Sequence, residues 1–298
     1  MKPPLVYIII VNWNLKEVTL ECLDSLHHLN YPDFRIVVVD NASHDGSPEA
    51  IAARYPQVEQ IHHSENRGST AGYNSGFRRA LEAGASFAML INNDTLIEPE
   101  ALNHLVNACL PEEVGMTGPL IYYASLPEKV WSAGAMRSRF TLDLIGNHGR
   151  GKSYSEIIKR DFLTSCALLV KREVLEKVGL MDEDFFVYQE ETDFCYRVRK
   201  AGYHLLLVPQ AKVWHKVSLS SGGSESASEH YWMEKNGILF YRKHAVWWQW
   251  PFVVAWRSGS AIKTTLRLLS RGKWKSLCAY WSGIYDGITF PLRKTAPV

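Results

Sequence analysis

Residues 5–11 read LVYIIIV, residues 35–40 RIVVVD and residues 87–94 FAMLINND, and these three runs decide the fold. Each has a short unbroken apolar stretch (5–11, 36–39 and 87–91), the pattern of a strand buried on both faces of a parallel sheet rather than one alternating between core and water. Between the first two, Val18, Cys22, Leu23 and Leu26 recur at helical spacing from Lys16 to His28, which makes a βαβ unit. A weak strand near Val58–His62 and a helix over Ala71–Ala83 repeat the alternation, so the chain is expected to be α/β, doubly wound around a mostly parallel sheet. Beyond Pro119 the pattern loosens to about Arg160. A strand near Ala167–Val170, a helix near Glu173–Val178, short strands at Leu205–Val208 and Lys212–His215, a Ser/Gly-rich loop at 218–228 and a helix from about Glu229 follow.

At 298 residues the chain suffices for one large domain with an appendage, and its 46% apolar and 21% charged content is that of a globular protein. The five cysteines are odd in number and lack a C-x-x-C pair, and no charged and apolar leader opens the chain, which points to free thiols in a reducing cytoplasm. No run of about 18 uninterrupted apolar residues predicts a membrane-spanning helix. The net charge of +2 is unevenly spread, because from Lys235 to Tyr285 there are nine Lys and Arg and no acid. A partner of that end is expected to be anionic.

In open α/β sheets ligands bind beyond the carboxyl ends of the strands. The polar residues there are Asn12, Trp13 and Asn14, then Asp40 and Asn41, then Asn92, Asn93 and Asp94. An aspartate at a strand end can accept from a base imide or ribose hydroxyl, although Asn, Ser, Asp and Gly also serve any β-to-α turn. The stretch Asn66-Arg67-Gly68-Ser69-Thr70-Ala71-Gly72-Tyr73-Asn74-Ser75-Gly76 leads into a helix whose N-terminal amides suit a diphosphate. It is neither G-x-G-x-x-G nor G-x-x-x-x-G-K-[ST], which removes the main support for a dinucleotide dehydrogenase or a P-loop enzyme. Asp94 can ligate Mg²⁺ or Mn²⁺, or simply cap a helix beginning near Glu98. Glu190, Glu191 and Asp193 crowd the start of a helix, where one can act as a base or all can complement the helix dipole. Trp214-His215 follows a short strand, and the imidazole can complete a metal site or contact the diphosphate, although a solitary His more often does neither.

Taken together, VVVDNASHDGS (37–47), NRGSTAGYNSG (66–76), INNDT (91–95), TSCALLVKREVLEKVGLMDEDFF (164–186), YQEETDFCYRVRKAGY (188–203) and WH (214–215) resemble glycosyltransferase family 2, especially its bacterial rhamnosyltransferase-like members. The resemblance spans about Pro4 to Lys243. It implies the GT-A nucleotide-diphospho-sugar transferase fold, a nucleoside-diphosphate sugar donor and a divalent cation, Mg²⁺ or Mn²⁺. Asp40 falls where relatives contact the base or ribose, Asp94 on the last acid of their metal motif, His215 on a histidine near the metal, and Glu191 on the catalytic base. The other strand-end and loop residues (Asn12, Trp13, Asn14, Asn41, Asn66, Arg67, Gly68, Asn74, Asn93) are expected on the donor side, and Ser165, Cys166, Glu190, Asp193 and Trp214 on the acceptor side. Three departures stand out: Asn92 where many relatives carry an acid, Glu instead of Asp at 191, and Ser165-Cys166 where relatives have glycine and a small residue.

The expected activity is inverting transfer of a sugar, with rhamnose the first choice, to a glycan or lipid-linked acceptor in cell-surface polysaccharide synthesis. The alternative is a catalytically inactive nucleotide-sugar-binding protein. The expected organisation is a catalytic domain over 1–243, divided into a nucleotide-sugar half (1–119) and an acceptor half (120–243), with a basic helical extension over 244–298. Six of the ten tryptophans lie in that extension among its Lys and Arg. It is therefore expected to rest on an anionic membrane, at the inner face of the cytoplasmic membrane, rather than on nucleic acid. The alternative is packing on the catalytic domain or in a homo-oligomer.

Overall fold

The computed structural model describes residues 2–146, 154–217 and 226–292. The elements run β1 (Val6–Asn12), α1 (Lys16–His27), β2 (Phe34–Asp40), α2 (Ser47–Arg54), β3 (Glu59–His62), α3 (Gly68–Glu82), β4 (Phe87–Ile91), β5 (Thr95–Ile97) and α4 (Ala101–Cys109). They continue with β6 (Val114–Tyr123), β7 (Leu126–Ser132), β8 (Met136–Arg137), β9 (Leu144–Ile145), β10 (Ile158–Arg160), β11 (Ala167–Lys171), α5 (Arg172–Val178), α6 (Glu190–Lys200) and β12 (His204–His215). The last are α7 (Ala227–His244), a 3-10 turn (Trp247–Gln249), α8 (Trp250–Ser270) and α9 (Trp274–Thr289). The loop expected over 218–228 falls mostly outside the described residues.

The main sheet runs β10-β12-β6-β11-β4-β1-β2-β3, with β5 on β12 and β7 on β6. β4, β1, β2 and β3 are parallel, whereas β11 lies antiparallel between β4 and β6. The two short strands expected at 205–208 and 212–215 are one strand, β12, whose pairing with β6 shifts between Val208 and Lys212. Pro209 interrupts the apolar pattern there without ending the strand, as prolines do at bulges.

β1 shows why its run reads as apolar throughout. Val6, Ile8 and Ile10 join a core with Leu23 and Leu26 of α1 and Leu102 and Leu105 of α4. Ile9 and Val11 face the other way, where α3 lies so close that only glycine fits at 72 and 76. A Cβ on Gly72 would stand 2.7 Å from Val11 Cγ2, and one on Gly76 would overlap Ile9 Cγ2.

The chain forms two compact units: Met1–Met136, Gly146–Phe186 and Glu190–Val217 in the first, and Arg137–Ile145, Val187–Gln189 and Ser218–Val298 in the second. The expected division at 243/244 therefore falls inside the second unit, and the one at 119/120 falls inside β6. The reason lies on α9, where Gly283 and Gly287 let its backbone press on the carbonyls of Tyr231 and Lys235 in α7. Tyr231 Oη also donates to Asp286 Oδ2 at 2.7 Å, and Arg242 Nη1 to the carbonyls of Gly287 and Phe290, both at 2.8 Å. α7 belongs with the terminal helices because it packs there.

Replacing a helical glycine by alanine ordinarily gains up to about 1 kcal/mol. Gly237→Ala, with nothing within 4 Å of the new methyl, should show that gain. Gly76→Ala should instead lose about 1–3 kcal/mol, because overpacking against Ile9 outweighs propensity. Denaturant unfolding of the two variants checks this, and a neutral or stabilised Gly76→Ala would contradict the packing argument.

Candidate active site

The carboxyl ends of β1, β2 and β4 meet at Asn12, which has no exposed surface. Its Nδ2 donates to Asp40 Oδ1 at 3.0 Å and to Ser43 Oγ at 3.1 Å. Its Oδ1 accepts from Thr19 Oγ1 at 2.7 Å and from Asn93 Nδ2 at 3.2 Å. Those four bonds use the full capacity of an amide. Asn12 therefore holds the site together and has nothing left for a donor. Asn93 is similarly committed through its Nδ2, which also reaches Thr19 Oγ1 at 3.0 Å. Asp40 keeps spare acceptor capacity: Oδ1 takes Asn12 and Oδ2 takes the amide of Ser43 at 2.9 Å. Asn41 joins Gly68 O and His63 Nδ1, at 2.9 and 2.7 Å, and His63 Nε2 continues to Ser75 Oγ at 3.0 Å. Trp13 is exposed, and Asn14, at φ 51°, accepts from the amide of His44 at 2.7 Å.

The glycine-punctuated loop splits into two kinds of residue. Asn66 and Arg67 are exposed; Asn66 Oδ1 accepts from the amide of Gly68 at 2.9 Å, and Arg67 lies 3.7 Å from Glu183. Gly68 has φ +81°, and a Cβ there would overlap the carbonyl of Phe186. Thr70 Oγ1 donates to Phe185 O, and Ser69 Oγ donates to Glu190 Oε1 at 2.8 Å. Asn74 turns the other way and clamps Met181, donating to its carbonyl at 2.9 Å and accepting from its amide at 3.0 Å. Expected on the donor side, it docks the chain that leads toward α6.

At the start of α6, Glu190 is buried and its Oε2 has no hydrogen-bond partner; the same holds for Oε2 of Glu191. Burial raises both pKa values, and the charge of Glu190 adds to the shift at Glu191, pushed up to about 8. Asp193, the third carboxylate, is no part of this pair. Its Oδ2 accepts from Arg197 Nε at 2.7 Å, while Arg197 also donates to the carbonyls of Val178 and Leu180. That is an ion pair one helical turn apart, with a fold-holding role. Tyr73 Oη donates to Asn92 Oδ1 at 3.0 Å and borders Ser165 and both glutamates, and burial raises its pKa.

Asp94 occupies the turn between β4 and β5, seven residues before α4, so it caps no helix. Its Oδ1 stands 3.1 Å from His215 Nε2 and has no hydrogen-bond partner. An orphaned, buried carboxylate oxygen facing an imidazole fits a divalent cation that takes its other ligands from phosphate and water. Among the described residues no group of three or more His, Cys, Asp or Glu side chains could enclose such an ion. His215 is the weaker half, because its Nδ1 also lacks the partner that usually orients a ligating imidazole; the ring lies edge-on to Trp131, centroids 4.4 Å apart. Trp214, its neighbour on β12, faces the opposite side of the sheet and stacks on Tyr122 at 6.3 Å. Cys166 points into the core, and burial drives its thiol pKa well up. Of the residues expected on the acceptor side, Ser165 and Cys166 both neighbour Tyr73, and Cys166 also lies within electrostatic reach of Asp94 and Glu191.

Ser69 and Tyr73 lay inside the glycine-punctuated stretch without a role of their own, and Thr19, His63 and Trp131 were not singled out in the sequence. His63 follows a strand and was within reach of the strand-end rule. Thr19 sits on a helix and Trp131 in the loosely patterned half, and neither gave a signal.

Residues 7–179 match the family described as Glycosyl transferase family 2. The N-acetylglucosaminyl-diphospho-decaprenol L-rhamnosyltransferase of Mycobacterium tuberculosis is 25% identical over 279 residues, covering 80% of this chain and 87% of that protein. A dTDP-rhamnosyl transferase of Shigella flexneri is 24% identical over 273 residues, covering 88% and 87%. Among solved structures, a mannosyltransferase of Pyrobaculum calidifontis in complex with GDP-Man and Mn²⁺ superimposes with a TM-score of 0.61. It is 16% identical, and the match covers 98% of this chain and 77% of that one. That likeness carries the GT-A type of fold.

A carboxyl whose pKa rises on folding favours the native state only while protonated. Native stability is therefore full below the unfolded pKa and falls as pH climbs toward the folded one, here from about 4.5 toward about 8. Glu191→Gln should remove part of that slope and stabilise the protein by roughly 1–3 kcal/mol at pH 7. Thermal melts of both proteins from pH 5 to 8.5 measure it; parallel curves would mean Glu191 is not strained by burial.

Proposed function

The chain belongs to glycosyl transferase family 2, and on that premise we propose that it is an inverting transferase moving a sugar from a nucleoside-diphosphate donor to a hydroxyl of a glycan or lipid-linked acceptor. The observation that carries this reading is the orphaned, buried carboxylate oxygen of Glu191 at the start of α6, raised in pKa beside Glu190. A dipole-complementing acid would be solvated or paired. Rhamnose is the sugar we propose, because two relatives similar over most of their length are named for its transfer.

In this reading Asp40 accepts from the base or ribose of the donor, and the exposed Asn66-Arg67 loop with the amides opening α3 meets the diphosphate. Glu191 takes the proton of the acceptor hydroxyl as that oxygen bonds to the anomeric carbon. On the opposite face the bond from that carbon to the diphosphate oxygen breaks, its electrons leave with the nucleoside diphosphate, and the configuration inverts. Glu190, fixed by Ser69, lies beside Glu191, where burial first and then the neighbouring carboxylate raise the pKa of the base. Asp94, with His215 as a weaker partner, would hold a divalent cation, which when bound supplies positive charge to the leaving diphosphate.

Glu191→Gln should bind donor nearly as the wild type does but transfer sugar about 100-fold more slowly or worse. The test is release of nucleoside diphosphate from a panel of nucleotide sugars, with dTDP-rhamnose expected to be the best. Unchanged turnover would take Glu191 out of the mechanism, and donor binding without turnover in the wild type would favour a binding protein.

Asp94→Ala should weaken donor binding far more in Mg²⁺ or Mn²⁺ than in chelator. Calorimetry under both conditions reads this, and equal losses would assign Asp94 to the fold or to the donor itself.

A further inference from the structure

α8 is 21 residues long, yet of its side chains only Val253 and Leu268 are buried. Phe252, Trp256, Ile262, Leu266 and Leu269 are all exposed, at separations of four, six, four and three residues, which gathers them on one side of the helix. α9 repeats the arrangement. Its buried Ser276, Tyr280, Gly283 and Gly287 take one side, while Trp274, Trp281, Tyr285 and Ile288 stand exposed on the other at separations of seven, four and three.

The hairpin between β8 and β9 adds a member that the sequence did not announce. Phe140 is 54% exposed and its ring lies 5.2 Å from Phe252. Lys263, Arg267, Arg271 and Lys275 are exposed beside these stripes. Arg257, counted with them from sequence, is instead paired with Glu234 of α7 and partly buried. No helix among the described residues is long and apolar enough to cross a membrane.

We propose that the exposed aromatic and aliphatic stripes of α8 and α9 are the docking surface for an anionic lipid bilayer, entered to headgroup depth. The reading deepens the proposed transfer to a lipid-linked acceptor and rests on it for its purpose. Indole and phenol rings prefer the headgroup boundary, and Lys and Arg beside them meet anionic phosphates. A second copy of this chain is the poorer occupant. A two-fold contact sets one patch against itself and would oppose Lys263, Arg267, Arg271 and Lys275 with cations, while the nearby acids Asp143 and Asp286 are already bonded to Trp256 Nε1 and Tyr231 Oη.

The test uses the full chain and the double variant Leu266→Glu, Trp281→Glu, both changes being at exposed positions. Each is sedimented with vesicles of phosphatidylcholine alone and of phosphatidylcholine with phosphatidylglycerol. The wild type should sediment with the anionic vesicles, be released by salt, and partition at least about tenfold more strongly than the variant. Equal partition of the two proteins, or equal binding to neutral and anionic vesicles, would overturn the proposal. So would self-association in lipid-free buffer that the variant abolishes. Nucleotide-sugar turnover on a soluble acceptor separates this from the activity itself: both proteins should turn over alike, whereas loss of turnover in both, with binding intact, would fault the transferase reading alone.

Discussion

One buried amide, that of Asn12, ties together the strand ends on which the site stands. With Asp40, Ser43, Thr19 and Asn93 as its four partners, it joins the ends of β1 and β2, the first turns of α1 and the loop after β4. Each bond contributes only about 1 kcal/mol net, but breaking one strands a buried polar group at about 1–3 kcal/mol. The arrangement is therefore all or nothing. Parallel strands in register, Asn12 opposite Asp40, supply the geometry, and the amide converts it into a fixed platform for the carboxylates beyond it.

The second constraint runs against stability. Glu190 and Glu191 are placed side by side where water is scarce, and one oxygen of each goes without a partner. Folding tolerates this because α6 is anchored elsewhere, by Asp193 and Arg197 on the carbonyls of Val178 and Leu180 and by Phe194 in the core. The ion pair and the strained pair occupy adjacent positions on one helix and do opposite things.

This explains how far the sequence could be read. The strands β1, β2 and β4 were legible because burial on both faces leaves no polar residue inside them. The pairing of Asp94 with His215 was implied by the family resemblance, which sets a histidine near the metal acid. What stayed hidden was the direction of polar side chains: Asn12, Asn74 and Asp193 carry the same chemistry whether they meet a ligand or the fold, and only their partners decide. Trp214 turned on a different count, since one step along a strand reverses the face a residue presents and sets it opposite His215. The grouping of α7 with the terminal helices depended on backbone contact at Gly283 and Gly287, which no periodicity encodes.

The contact at Gly68 bears on motion. The loop at the head of α3 touches the carbonyl of Phe186 so closely that no side chain fits between them, and Ser69 and Thr70 bond to the same stretch, at Glu190 and Phe185. Such a loop has no freedom to swing out as an independent lid. Any displacement of that loop must carry Phe185, Phe186 and Glu190 with it, so the head of α3 and the start of α6 can only shift as one piece.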